Sequence, residues 1–232
     1  MSFFILGTDT SVGKTLVATS LLMGLQAKGY STIGLKPVAS GAQRTAVGLR
    51  NADALSLQKV ASVCLAYEQV NPFCFEEAIA PHIAARRQNF HLSVSSIMQA
   101  CNPLLSYPVD YRVIEGAGGV CTPLNAQETF ADLVRTARLP VILVVGLRLG
   151  CLNHALLSWD YLRRCDLSVI AWFANQIDPS MESVEENIAF LRSALPVPCV
   201  GIFPYAKQMN LDIFSTLIDY EILLGRVINE AN

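Results

Sequence analysis

The stretch GTDTSVGKT, Gly7 to Thr15, ends in Gly13-Lys14-Thr15, a combination suited to holding a polyphosphate. The glycine lets backbone approach an anion, amides at a helix start point towards it, and the lysine adds a cation that can reach the β and γ oxygens. The threonine hydroxyl after the lysine can reach a magnesium ion bound to the same oxygens. The formula G-x-x-x-x-G-K-[ST] asks for four residues between its glycines; this chain has five, which puts Thr8 in the first slot. The mechanism survives the change, because an apolar run (Phe3 to Leu6) leads in and the helix-compatible run TLVATSLLMGLQAK leads out.

A phosphate cradle needs a carboxylate for its metal. Glu115 ends the apolar run of Tyr111 to Ile114 and is followed by Gly116, Ala117, Gly118 and Gly119. An acid closing a buried strand is costly unless a cation or a donor meets it, which makes Glu115 a candidate metal ligand with Thr15. Lys36 ends the second apolar run and leaves it on the side where the Gly7–Thr15 loop also emerges. A cation fixed there can neutralise charge that develops during group transfer. By residue type alone Lys36 is equally a strand-end surface lysine. Asp53 alone reads as a first-turn helix acid favoured by the dipole.

These residues need a scaffold, and the hydrophobic pattern supplies one. Apolar runs suited to buried parallel strands occur at 3–7, 32–37, 111–116, 140–146, 169–175 and 199–204. Helical spacing appears at 13–28, 52–64, 93–105, 128–138, 152–165, 182–194 and 210–223. The alternation predicts an α/β fold: a P-loop NTPase-like, doubly wound parallel sheet with helices on both faces. No repeat or linker divides residues 1–232, which are expected to form one domain. Pro72 and Pro81 make 65–92 a poor helix and an expected long loop.

Composition narrows the partners. With 232 residues, 52% apolar and 16% charged, and a mean hydropathy of +0.39, the chain can bury a sizeable core. A net charge of −2 offers no basic footprint for nucleic acid or an anionic membrane surface. Seven scattered cysteines form no C-x-x-C pair and read as small buried apolar residues. No apolar stretch approaches the ~18 residues of a span and the basic start of a signal peptide is missing, so a cytoplasmic location is expected.

Ten segments in order, GTDTSVGKT, KPVASG, RNADAL, VNPF, APH, EGAGG, TPL, LPVILVVG, LGCLNHALL and FAN, resemble dethiobiotin synthetase of biotin biosynthesis. The similarity runs from residue 3 to about 206. It implies an ATP- and Mg²⁺-dependent enzyme that joins CO₂ to 7,8-diaminopelargonic acid and closes a ureido ring, through a carbamate and a carbamic-phosphoric anhydride. ADP and phosphate leave with dethiobiotin.

The resemblance also implies roles. Ser11, Val12, Gly13, Lys14, Thr15 and Leu16 cradle the nucleotide, with Asp53, Glu115, Gly116, Ala117 and Gly118. Thr15, Asp53 and Glu115 are the magnesium ligands; Lys36 and Lys14 are catalytic. Asn175 reads adenine, with Gln176, Pro204, Tyr205 and Ala206 around the base. Ser40 binds the diamine. Gly150, Cys151 and Asn153 take the substrate's far carboxylate across a homodimer interface. His154 is not expected to be catalytic.

Two departures matter. Ser11 stands where close family members often carry glutamate, and Asn175-Gln176-Ile177-Asp178 is similar to the guanine-reading N-K-x-D, with glutamine replacing the lysine. ATP is the expected nucleotide. A partition-type ATPase acting as a binding switch is the alternative, but it carries a signature lysine where this chain has Asp9. A cobyrinate-type ligase normally adds a glutaminase domain that 232 residues cannot hold, and Arg86 and Arg87 are a thin basis for a nucleotide kinase's lid.

Overall fold

The structure is a computed structural model that describes residues 1–208 and 210–230, with side chains described as far as Arg226. The elements run β1 (Ser2–Gly7), α1 (Lys14–Ala27), β2 (Thr32–Leu35), β3 (Val38–Ala39), β4 (Gln43–Thr45), β5 (Gly48–Arg50), α2 (Ala52–Val60) and α3 (Tyr67–Val70). They continue with β6 (Phe73–Cys74), α4 (Pro81–Arg87), α5 (Val94–Leu105), β7 (Tyr111–Glu115), α6 (Phe130–Ala137) and β8 (Val141–Leu147). The chain then forms α7 (Cys151–Arg164), β9 (Val169–Gln176), α8 (Val184–Ala194), β10 (Cys199–Phe203), α9 (Leu211–Thr216) and α10 (Tyr220–Glu230).

Six strands form one parallel sheet in the order β10-β9-β8-β1-β7-β2. β1 is central, with Phe3 opposite Val113 of β7 and Phe4 opposite Val141 of β8. Because side chains alternate across a strand, the apolar runs feed two cores. Phe4, Leu6, Ile114, Leu143 and Val145 pack on one face; Phe3, Ile5, Val113, Ile142 and Val144 pack on the other. Each fully buried side chain of this size contributes about 1.5–3 kcal/mol, so both helical layers are held firmly. All six expected sheet strands are present, and they aim the loops after β1, β2 and β7 at one edge.

The expectations fail in three places. The 65–92 stretch is not one long loop: α3, β6 and α4 lie within it. Pro81 opens α4 as its first residue, a position where a missing N–H costs nothing. The helix expected at 210–223 is broken between α9 and α10, where Ile218 bridges Gly201 and the Asp219 amide donates to Val200 O at 2.7 Å. Backbone spent on covering the edge strand β10 cannot continue a helix. The cysteines are not uniformly interior either. Cys101 and Cys151 are buried, whereas Cys64 and Cys121 are exposed.

Candidate active site

The loop from β1 wraps a helix start. Gly13 caps α1 at φ 92°, and a Cβ there would lie 2.0 Å from Asn175 Nδ2, so only glycine fits. Ser11 is also left-handed, at φ 59°. Lys14 is buried, and its ammonium donates to Asp9 O at 2.8 Å and Gly118 O at 2.7 Å, tying the loop after β1 to the glycine segment after β7. Burial, with the neighbouring Lys36 charge behind it, lowers its pKa to about 8.

Thr15 Oγ1 donates to Glu115 Oε1 at 2.9 Å. The same oxygen receives Lys36 Nζ at 2.6 Å, and Nζ also donates to Gly116 O at 3.0 Å and lies 3.2 Å from Asp53 Oδ2. Lys36 and Glu115 are both buried; Asp53 is 43% exposed. Burial works against the Lys36 charge, but Glu115 and Asp53 outweigh it and hold the ammonium above its ordinary value. Burial lifts the Glu115 carboxyl above the usual range, with Lys36 pulling it back. Lys36 therefore stays charged at neutral pH.

These groups open onto a cleft of about 720 Å³ whose lining includes Ser11, Gly13, Lys14, Thr15, Leu16, Lys36, Ser40, Asp53, Glu115, Ala117 and Gly118. Ser40 Oγ is buried without a hydrogen-bond partner among the described residues. The apolar part of the lining is a wall of Ala39, Ala78, Ile79, Ala80 and Pro81. Residue-type reasoning missed most of that wall, since alanines carry no chemical signal. Thr10, Thr122 and Pro123 also line the cleft.

The oxygen set suits a hard divalent cation. Glu115 Oε2 is buried with no partner among the described residues, and Thr15, Glu115 and Asp53 offer oxygen donors only. No group of three or more His, Cys, Asp or Glu side chains gathers among the described residues, so a cation held here would take its remaining ligands from phosphate and water.

The other expected residues lie outside the cleft. Asn175 is buried behind the loop and donates from Nδ2 to Val12 O at 2.9 Å. Gln176 sits beside Tyr205, whose amide donates to Gln176 Oε1 at 3.5 Å; Pro204 and Tyr205 are exposed, and Ala206 packs on the core below. Asp178 already accepts from the Ser180 amide and hydroxyl at 2.9 and 2.7 Å. Gly150, at φ 93°, caps α7, with Cys151 buried and Asn153 exposed, and the Cys151 amide is taken by Arg148 O at 3.0 Å. His154 lines a separate cavity of about 420 Å³ with Thr8, Cys121, Leu157 and Ser158.

Known proteins resemble this chain along nearly its whole length. Residues 1–211 match the AAA domain family. An ATP-dependent dethiobiotin synthetase of Cellvibrio japonicus is 49% identical over 96% of this chain and 97% of its own. Those of Pseudomonas aeruginosa and Yersinia pestis are 49% and 45% identical, over 89% and 94% of this chain and 91% and 90% of theirs.

The chain belongs to the ATP-dependent dethiobiotin synthetase family.

For this synthetase-family chain, likeness to solved structures bears on the fold alone. The cell division protein FtsY of Thermotoga maritima matches with a TM-score of 0.50 at 14% identity, over 97% of this chain and 68% of that one. Chloroplast FtsY of Physcomitrella patens matches with a TM-score of 0.51 at 16% identity, over 93% and 64%. Both fit a P-loop NTPase-like sheet. No helix among the described residues of this synthetase-family chain is long and apolar enough to cross a membrane.

Proposed function

We propose that the chain, as one domain, uses ATP and Mg²⁺ to join CO₂ to 7,8-diaminopelargonic acid and close the ureido ring of dethiobiotin, releasing ADP and phosphate. The observation that carries this reading is Lys36: a buried ammonium between Glu115 and Asp53, on the same cleft as Lys14, Thr15 and Ser40.

The reaction passes through two anions, a carbamate on one amine and the mixed anhydride formed when that carbamate is phosphorylated. Attack by the second amine then expels phosphate. A fixed cation in a water-poor cleft stabilises such charge without reorganising, and Lys36 meets that requirement. Lys14 and the first amides of α1 hold the phosphates; to do so, Lys14 exchanges its carbonyl partners for phosphate oxygens. Thr15, Asp53 and Glu115 would hold the magnesium ion, which would neutralise charge on the transferring phosphates. Ser40 offers a free hydroxyl to the diamine, whose methylene chain suits the apolar wall of Ala78 to Pro81.

Asn175, Gln176, Pro204, Tyr205 and Ala206 are read as the base pocket. Adenine is favoured over guanine because Gln176 stands where the guanine motif has its lysine, and Asp178 Oδ1 is already engaged by Ser180. The far carboxylate is assigned to Gly150, Cys151 and Asn153 of a second copy. Support comes from their absence from their own chain's cleft and from the nearby Leu149, which is 96% exposed.

The test is ADP release with diaminopelargonic acid and bicarbonate, each omitted in turn. Release that depends on both supports the synthetase reading. ATP hydrolysis indifferent to the diamine favours a switch ATPase instead.

A further inference from the structure

Two of the family-like segments, RNADAL and VNPF, contain asparagines with no task in the chemistry above. Both converge on one hydroxyl. Tyr67 is buried on α3, and its Oη accepts from the Asn51 amide at 2.7 Å and donates to Asn71 Oδ1 at 2.9 Å. Each asparagine continues towards the cleft. Asn51 Oδ1 caps α2 by accepting from the amides of Asp53 and Ala54 at 3.0 and 3.2 Å, and its Nδ2 donates to Ser40 O at 3.3 Å. Asn71 Nδ2 donates to Lys36 O at 2.6 Å. The Lys36 amide is fixed from the same side, donating to Val70 O at 2.8 Å.

We propose that Tyr67 is a positioning residue for the reaction: its hydroxyl sets the spacing between the Lys36 end of β2 and the Asp53 start of α2. This rests on the reading of Lys36 and Asp53 as active residues. A single O–H that both accepts and donates fixes its two neighbours relative to one another, and Asn51 and Asn71 transmit that spacing to three cleft residues. The 3.2 Å approach of Lys36 Nζ to Asp53 Oδ2 is the output. Displacing a reacting group by about 1 Å can cost on the order of 10²-fold in rate, so a hydroxyl that never touches substrate still governs turnover.

Tyr67→Phe removes the hydroxyl and keeps the ring under the Arg50 guanidinium, which stacks 4.1 Å above it. The expected result is a fall in kcat of about tenfold or more that exceeds any rise in KM for ATP, because Lys14 and the amides of the phosphate loop are untouched even though Asp53 shifts. Asn71→Ser cuts the chain at its other end, and the double variant should be no slower than the slower single one. Cys74→Ala removes a sulfur 3.5 Å from the same hydroxyl without cutting the chain, and should leave kcat within about twofold. Unchanged kcat in Tyr67→Phe, or additive losses in the double variant, overturns the proposal. ADP release is followed with and without the diamine. A wild type indifferent to diamine sinks the synthetase reading, while the comparison of wild type with Tyr67→Phe still judges this one.

Discussion

Lys36 Nζ and Glu115 Oε1 lie 2.6 Å apart with both side chains buried, and Asp53, at 3.2 Å, approaches the same nitrogen from the partly open side. A buried pair of this kind is more costly to break than to replace, because removing one partner strands the other charge. Glu115→Gln should therefore lower stability by about 3 kcal/mol. Lys36→Met/Glu115→Gln, which removes both charges, should recover much of that loss. Urea titration checks the order. A double variant less stable than the single one would show that the pair is net stabilising. Turnover should fall by at least about 10²-fold in Glu115→Gln.

Lys14 supplies a pH prediction. Its folded pKa is lowered to about 8 by burial and by Lys36, so near pH 8 about half of the molecules lack that proton. A polyphosphate beside it favours the ammonium, and nucleotide binding at pH 8 should take up about half a proton. Calorimetry in two buffers of different ionisation enthalpy measures this directly. The stability contribution has the opposite sense: between about 8 and 10.5 the unfolded chain binds more protons, so this group makes stability rise with pH. Binding heats identical in both buffers contradict the lowered pKa.

Asn175 makes the base and loop assignments separable. An adenine reader alone predicts that Asn175→Ala weakens ATP and leaves a ligand without a base unaffected. The hydrogen bond to Val12 O adds a second effect, a loosened phosphate loop. We predict that tripolyphosphate also binds more weakly, by about 3- to 10-fold, the worth of one hydrogen bond. Unaltered tripolyphosphate affinity limits Asn175 to the base.

Ser40→Ala should leave thermal stability unchanged, because its Oγ has no partner to lose among the described residues. Its effect should appear as a rise in KM for the diamine of about tenfold, with KM for ATP unmoved. A drop in melting temperature would reveal a structural bond instead.

Much of this was legible in the residues, and the failures are informative. The six sheet strands were readable because they are almost wholly buried, Ile202 of the edge strand β10 being exposed, and so nearly continuously apolar. The Gly13-Lys14-Thr15 terminus and Glu115 were readable because their chemistry is unusual at strand ends. Asp53 was not: on its own it is a helix-start acid that only the resemblance singled out, and in the structure Lys36 converges on it from another strand. The apolar wall at Ala78–Pro81 carried no chemical signal, and only the APH segment, Ala80 to His82, marked part of it, because its residues matter for shape alone. Tyr67 was invisible for another reason: its value lies in two partners, one of them a backbone amide.

The central place of β1 has a consequence for how the chain is made. Ser2 pairs with Arg112 and Phe4 with Val141, so the strand leading into the phosphate loop is synthesised well before either neighbour leaves the ribosome. Until then both of its edges are open and its two apolar faces have no sheet to join, a situation that slows folding and invites association between nascent chains. Chaperone demand during synthesis should therefore peak before β8 emerges and fall once it has docked, ending when β9 and β10 complete the sheet.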